Sequence, residues 1–120
     1  MKRILIVDDK PEIARIVQQF LGKHYEVFSK TSGMDAFSWL EQGNIPDLII
    51  SDINMPEMNG EEFLKQLKNS GFFNTIPVIM LSSIEETGEK VKFFKLGADD
   101  YIVKPFNPEE LEFRVLKILK

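Results

Sequence analysis

The stretch Leu48-Ile49-Ile50-Ser51-Asp52 has the pattern of a buried strand that ends in a carboxylate, and Pro56 and Gly60 follow it closely. A short, continuous apolar run suits a strand that is covered on both faces, as in a parallel sheet. The carboxyl ends of such strands line the crevice in which open α/β sheets bind their ligands. The sequence therefore predicts that Asp52 lies at the functional edge of a parallel sheet.

Short runs of strand-forming residues alternate along the chain with segments of helical period. The predicted strands cover residues 4–7, 25–28, 48–50, 78–81 and 101–103. Apolar residues recur between them at the spacing of an amphipathic helix. The first such face consists of Ile13, Ile16, Val17, Phe20 and Leu21, and the fourth is predicted from Val91 and Phe94. Strict alternation predicts an α/β fold, a doubly wound sheet of five parallel strands with five helices and right-handed crossovers.

Composition narrows the classes of function. The 120 residues carry a formal net charge of -4 and no cysteine. This length suits one domain, predicted over residues 1–120, because no linker or repeat divides the chain. The acidic balance argues against direct binding of nucleic acid or of an anionic membrane, since both require a basic surface. We expect a cytoplasmic protein, because disulfides, a signal peptide and a membrane-length apolar segment are all missing from the sequence.

Polar side chains end the other strands that such a sheet would bring near Asp52. Asp8 and Asp9 follow the first strand, Ser82 ends the fourth, and Lys104 follows the last. Taken singly, they have ordinary explanations: solvated carboxylates, a hydroxyl bonded to a loop, and a surface ion pair. Adjacent first and third strands would make Asp9 face Asp52, and carboxylates that close repel one another unless a cation joins them. Oxygen ligands without cysteine or clustered histidine favour Mg²⁺.

These groups together compose a phosphoryl-transfer site, in which a carboxylate, a divalent cation, a lysine and a hydroxyl surround the transferred group. At this point the whole chain resembles the receiver domains of two-component response regulators. The residues that carry the resemblance are Asp8-Asp9, Asp52 with Asn54-Met55-Pro56 and Gly60, Ser82, and Gly97-Ala98-Asp99-Asp100-Tyr101 before Lys104-Pro105-Phe106. The resemblance implies a flavodoxin-like fold with strand order 2-1-3-4-5. It also implies that any carboxyl-terminal output domain lies outside this chain.

The resemblance assigns the metal and the phosphoryl group to particular residues. Asp52 would accept the phosphoryl group from a sensor histidine kinase or a phosphotransfer protein. Asp9, Asp52 and the backbone carbonyl of Asn54 would bind Mg²⁺, and Asp8 would contribute through a water molecule. Such a protein would catalyse only its own phosphorylation and dephosphorylation, and would not be an enzyme acting on an outside substrate.

Lys104 and Ser82 would contact the phosphoryl group in the same scheme. The resemblance implies that Lys104 pairs with its oxygens, that Ser82 donates a hydrogen bond to one of them, and that the bond between Lys104 and Pro105 is cis. Tyr101 would be the switch residue, turning inward when the Ser82 hydroxyl moves. The ordinary interpretation of Tyr101 is a half-buried strand aromatic whose hydroxyl lies in water.

The signal would leave through the surface formed by the fourth helix, the fifth strand and the fifth helix. Candidate interface residues on it are Asp99, Asp100, Glu110 and Arg114, with Lys92 and Lys95 on the fourth helix. One expectation is a homodimer through this surface that controls transcription through a DNA-binding domain. The alternative is a stand-alone receiver that acts by protein–protein contacts.

Asn54 and Ile84 occupy the positions that flank the approach of hydrolytic water in receivers. Asn54 can hydrogen-bond a water molecule, whereas the branched apolar side chain of Ile84 cannot. This pair predicts a fairly long-lived phosphorylated state. A flavodoxin-type electron carrier is the rival of the same fold, but flavin phosphate would need amide groups where this chain has Asp8-Asp9.

Overall fold

The computed structural model describes residues 1–84 and 87–120 and contains, within them, one sheet of five parallel strands and five helices. The strands are β1 (Arg3–Val7), β2 (Glu26–Lys30), β3 (Leu48–Asp52), β4 (Val78–Ser82) and β5 (Asp100–Val103). The helices are α1 (Pro11–Leu21), α2 (Gly33–Glu41), α3 (Gly60–Lys68), α4 (Thr87–Lys95) and α5 (Pro108–Leu119). The strand order β2-β1-β3-β4-β5 confirms the predicted fold. No helix among the described residues is long and apolar enough to cross a membrane.

The sheet is covered on both faces, and successive residues of its central strands face opposite sides. Leu5 and Ile49 belong to the core beneath α2, α3 and α4, whereas Ile4 and Ile50 belong to the core beneath α1 and α5. Every residue of β3 and β4 is buried. Burial of each apolar side chain in these strands stabilises the fold by about 1.5–3 kcal/mol. Packing from both sides therefore fixes the position of the strand ends.

Helix α3 begins directly against the end of β3. Asn59 accepts a hydrogen bond from the N–H of Glu62, and the Glu62 side chain accepts one from the N–H of Asn59, which together cap the helix. The N–H of Gly60 donates a 2.7 Å hydrogen bond to the carbonyl of Ile53. A Cβ at residue 60 would lie 2.4 Å from the carbonyl oxygen of Asp52. Only glycine permits this approach of the helix to the strand end.

The prediction that Val91 and Phe94 form the buried face of α4 is wrong. Val91 and Phe94 are 42% and 46% exposed, whereas Phe93 is completely buried. Neighbouring residues on a helix point about 100° apart, and here Phe93 faces the sheet while Phe94 is turned toward solvent. Phe93 occupies the core position and packs against Tyr101, with ring centroids 5.9 Å apart.

Candidate functional site

The carboxyl edge of the sheet brings three carboxylates and an ammonium group together. The Nζ of Lys104 lies 3.1 Å from Oδ2 of Asp8 and 3.0 Å from Oδ1 of Asp52. One carboxylate oxygen from each of Asp8, Asp9 and Asp52 lies within 4.8 Å of the other two. The ends of β1, β3 and β5 thus form one acidic pocket, which we define as Asp8, Asp9, Asp52 and Lys104.

Charge in this pocket is incompletely balanced. Asp8 and Asp52 are each 2% exposed, which withdraws them from solvent screening. Burial raises the pKa of Asp8 above its ordinary value, and the charge of Asp52 raises it further. A 2.8 Å hydrogen bond from the N–H of Lys10 and the nearby Lys104 ammonium act in the opposite direction. The upward direction of the Asp8 pKa therefore shows that burial, with the charge of Asp52, outweighs the two stabilising contacts.

The two oxygens of Asp52 have different surroundings. Oδ1 accepts hydrogen bonds from the N–H of Ile53 at 2.9 Å and from Lys104 at 3.0 Å. Oδ2 is buried and accepts no hydrogen bond from any described residue. A buried polar atom without a partner is destabilising, and such atoms concentrate where a ligand or a reaction completes the site. The donor set of carboxylate oxygens around Oδ2 fits a hard divalent cation such as Mg²⁺.

Lys10 is a member of the site that the sequence did not single out. Its Nζ lies 3.5 Å from Oδ1 of Asp9 and 3.8 Å from Oδ2 of Asp52. The charge of Asp52 raises the pKa of Lys10, burial opposes this, and the charges of Asp9 and Asp8 add to the rise. The available signal was its position in the sequence, directly after the acidic pair.

Ser82 and Tyr101 are linked through the backbone of Ile84. Ser82 Oγ accepts a 3.0 Å hydrogen bond from the N–H of Ile84, and the Tyr101 hydroxyl donates a 2.7 Å hydrogen bond to the Ile84 carbonyl. Tyr101 is only 5% exposed, and burial raises its pKa. The ordinary interpretation of Tyr101, with its hydroxyl in water, is therefore wrong.

The two residues predicted to flank the water approach lie at the protein surface. Asn54 follows β3 and is exposed, and Ile84 follows β4 and is 37% exposed. The peptide bond between Lys104 and Pro105 is cis, as expected.

The predicted interface residues separate into two groups. A guanidinium nitrogen of Arg114, on α5, lies 2.8 Å from each carboxylate oxygen of Asp100, on β5, and another lies 3.5 Å from Glu110. Asp99 does not join this group, because its Oδ2 accepts a 2.8 Å hydrogen bond from the N–H of Val78. Asp99 therefore fixes the start of β4, a role that the sequence did not predict.

The two lysines of α4 that were candidate interface residues have different surroundings. Lys92 pairs with Glu61 of α3, and Glu61 also pairs with Lys65 at 3.0 Å. These pairs lower the pKa of Glu61, with the hydrogen bond from Lys92 as the largest cause. Lys95 is exposed. Lys92 thus ties α4 to α3, and Lys95 lies on the outer surface.

Comparison with known proteins identifies the class to which this fold and site belong. A family model described as the response regulator receiver domain matches residues 4–116. The alkaline phosphatase synthesis transcriptional regulatory protein PhoP of Bacillus subtilis is 38% identical over 120 residues, which are 99% of this chain and 49% of that protein. This chain belongs to the response regulator receiver domain family. The flavodoxin-type electron carrier is therefore set aside.

Solved structures agree with this assignment. A putative response regulator from Chloroflexus aurantiacus has a TM-score of 0.91 and 35% identity, over 98% of this chain and 97% of that chain. The chemotaxis response regulator CheY4 of Vibrio cholerae has a TM-score of 0.90 and 35% identity, over 99% of both chains. This chain spans about half the length of PhoP, and 7% of the hybrid signal transduction histidine kinase D of Dictyostelium discoideum, to which it is 34% identical.

Proposed function

We propose that Asp52 is the phosphoacceptor of this receiver domain and that a sensor histidine kinase or a phosphotransfer protein is the donor. The observation that carries the proposal is the buried Oδ2 of Asp52, which lacks a hydrogen-bond donor among the described residues. An oxygen in that state is available to a metal ion or to the phosphorus, while Lys104 and the N–H of Ile53 hold the other oxygen. The carboxylate is thereby oriented before a donor arrives.

The reaction forms an acyl phosphate. An oxygen of Asp52 attacks the phosphorus in line, a new P–O bond forms, and the P–N bond to the donor imidazole breaks, so that the imidazole leaves with the electron pair. Lys104 neutralises negative charge on the transferred oxygens. The Ser82 hydroxyl, which now accepts from Ile84, donates to one of those oxygens after transfer.

The pocket fits Mg²⁺ as the cofactor of this transfer. Asp9, Asp52 and the backbone carbonyl of Asn54 would hold the ion, and Asp8 would contribute through water. When bound, the ion supplies positive charge that stabilises the oxygens of the phosphoryl group. The three carboxylates that converge in the pocket support this assignment, because their charge exceeds that of the Lys104 ammonium.

Residues 1–120 would act as one receiver domain whose surface on α4, β5 and α5 transmits the signal. We place Tyr101 at the switch, and Asp100, Glu110 and Arg114 at the interface. The length and name of PhoP support transcription through a domain outside this chain as the output. The full-length match to CheY4 supports the second candidate, a stand-alone receiver that acts by protein–protein contacts.

Phosphorylation of the isolated domain tests the assignment of Asp52. Acetyl phosphate with Mg²⁺ should add the mass of one phosphoryl group, and intact-protein mass spectrometry should show its loss in Asp52→Asn. Asp35→Asn is the matched control, because it removes one carboxylate outside the pocket. Asp35 is exposed at the start of α2. A full adduct on Asp52→Asn would contradict the proposal, as would equal labelling after chelation of Mg²⁺.

Measurement of dimerisation distinguishes control of transcription from the action of a stand-alone receiver. Phosphorylated protein should sediment as a dimer if the surface on α4, β5 and α5 pairs two copies. Phe94→Ser, at the 46% exposed Phe94 of α4, should then reduce dimerisation. Phe72→Ser is the control, because Phe72 is 88% exposed in the loop before β4. Phosphorylated protein that remains monomeric at every concentration would favour the stand-alone receiver.

A further inference from the structure

The ammonium group of Lys10 lies beside the two carboxylates that the proposed function assigns to Mg²⁺. Its Nζ is 3.5 Å from Asp9 and 3.8 Å from Oδ2 of Asp52. That 3.8 Å contact is the one ion pair found for the buried Oδ2 within residues 1–84 and 87–120, and its length exceeds that of a hydrogen bond. Lys10 therefore supplies charge to this oxygen without satisfying it.

The backbone of Lys10 is fixed, whereas its side chain is free to move. The N–H of Lys10 donates a 2.8 Å hydrogen bond to Oδ1 of Asp8, and the residue caps the amino end of α1. The side chain is 54% exposed. A lysine ammonium is a point charge on a flexible four-carbon stem, so it can leave the pocket while the backbone stays in place.

A divalent cation and this ammonium cannot occupy the pocket together. Both would lie against the carboxylates of Asp9 and Asp52, and like charges this close repel strongly in a partly buried site. Binding of Mg²⁺ therefore requires that both Lys10 ion pairs break. The free energy of those two ion pairs is subtracted from the binding free energy of Mg²⁺.

We propose that Lys10 is an internal counter-ion that competes with Mg²⁺ for Asp9 and Asp52 and so determines the Mg²⁺ affinity of the unphosphorylated domain. The proposal rests on the proposed function, since it takes these two carboxylates as metal ligands. Without metal, Lys10 reduces the repulsion between Asp9 and Asp52. With metal, its ammonium lies in solvent. Lys10 is a positioning and affinity-determining residue, and not a ligand.

Calorimetric titration of the unphosphorylated domain with MgCl₂, at constant ionic strength, tests the proposal. Lys10→Gln should bind Mg²⁺ about threefold to tenfold more tightly than the unsubstituted protein, the range expected for two partly exposed ion pairs. Lys10→Arg retains the charge and should keep the affinity low. Lys23→Gln is the matched control for net charge, because Lys23 is exposed in the turn before β2, at the opposite edge of the sheet.

The melting temperature gives a second measurement. Only competition between Lys10 and Mg²⁺ predicts that Lys10→Gln is less stable without metal but is stabilised more when metal is added. Lys10→Gln should melt at a lower temperature than the unsubstituted protein in EDTA, because the carboxylates then lack this counter-ion. It should show the larger rise in melting temperature when Mg²⁺ is added, because stabilisation by a ligand follows its affinity. A purely structural loss would lower both melting temperatures by the same amount.

Each outcome of these titrations supports or overturns the inference. Equal Mg²⁺ affinity in Lys10→Gln and the unsubstituted protein overturns it, and so does equal tightening in Lys23→Gln. If binding is lost in Asp9→Ala but unchanged in Lys10→Gln, the metal site stands and only the role of Lys10 fails. If neither the unsubstituted protein nor Lys10→Gln binds Mg²⁺, the proposed metal site fails with it.

Discussion

The hydroxyl of Tyr101 is joined to the carbonyl of Ile84 by a 2.7 Å hydrogen bond. The N–H of the same Ile84 donates to Ser82 at 3.0 Å, so this residue of the loop after β4 is hydrogen-bonded to the hydroxyl groups of both Ser82 and Tyr101. Any movement of the Ser82 hydroxyl toward a phosphoryl group would release the Ile84 N–H. The backbone position of Ile84 is thus coupled to the hydrogen bonds of both Ser82 and Tyr101.

Tyr101→Phe should destabilise the unphosphorylated domain by about 1 kcal/mol, the usual net contribution of one hydrogen bond. The ring and its packing on Phe93 are retained, so the change isolates the bond to Ile84. Urea unfolding measures the difference, and Tyr25→Phe, at a tyrosine outside this network, is the control. Equal stability of Tyr101→Phe and the unsubstituted protein would show that the hydrogen bond contributes nothing in solution.

Asp8→Asn should stabilise the metal-free domain at pH 7, by an amount that shrinks as the pH falls. The folded-state pKa of Asp8 is raised above its ordinary value of 3.8, chiefly by burial. The folded protein therefore holds this proton more tightly than the unfolded chain, and the penalty for the buried charge is relieved as the pH falls through the folded-state pKa. Urea unfolding in EDTA from pH 7 to pH 4 measures this, and an advantage of Asp8→Asn that grows toward pH 4 would contradict it.

Ile84→Glu should accelerate decay of the phosphorylated state severalfold, because a carboxylate at this position can orient water toward the phosphorus. Ile45→Glu is the matched control, since Ile45 is 48% exposed and Ile84 37% exposed, and residue 45 lies in the loop before β3 at the opposite edge of the sheet. Decay is followed by loss of the phosphoryl mass after removal of acetyl phosphate. An unchanged or slower rate in Ile84→Glu would show that position 84 does not control the approach of water.

Gly60→Ala should destabilise the fold by about 1–3 kcal/mol, the usual effect of overpacking. Its Cβ would lie 2.4 Å from the carbonyl oxygen of Asp52 and 2.6 Å from the Cα of Ile53, and backbone atoms cannot move aside cheaply. Gly88→Ala, inside α4, meets nothing within 4 Å and should instead stabilise by up to about 1 kcal/mol through helix propensity. Thermal and urea unfolding compare the two, and equal destabilisation would refute the contact argument.

The sheet and its polar edge were predictable because each depends on local sequence pattern. Continuous apolar runs such as that before Asp52 indicate strands buried on both faces, and parallel strands necessarily bring their carboxyl ends to one edge. The face of α4 was not predictable in this way. Phe93 and Phe94 are equally apolar, and only tertiary packing on Tyr101 selects Phe93 for the core.

The sequence pattern also could not predict which groups the charged side chains contact. Lys10 contacts Asp52 across 42 positions of sequence (52 minus 10), and Asp99 contacts the start of β4 across 21 positions. Such contacts depend on the spacing between strand ends and on side-chain conformations. A sequence pattern records neither, so it gave the residues of the acidic pocket but not the second cation beside it.

The distance in sequence between Lys104 and its partners has a consequence for synthesis of the protein. Lys104 stands 96 positions after Asp8 and 52 positions after Asp52, so a ribosome produces both carboxylates well before the ammonium group that bridges them. A nascent chain that ends before Lys104 contains the acids of the pocket without this counter-charge. The ion pairs of Lys104 with Asp8 and Asp52 can therefore form only after β5 has been synthesised, when the residues of the other four strands are already available.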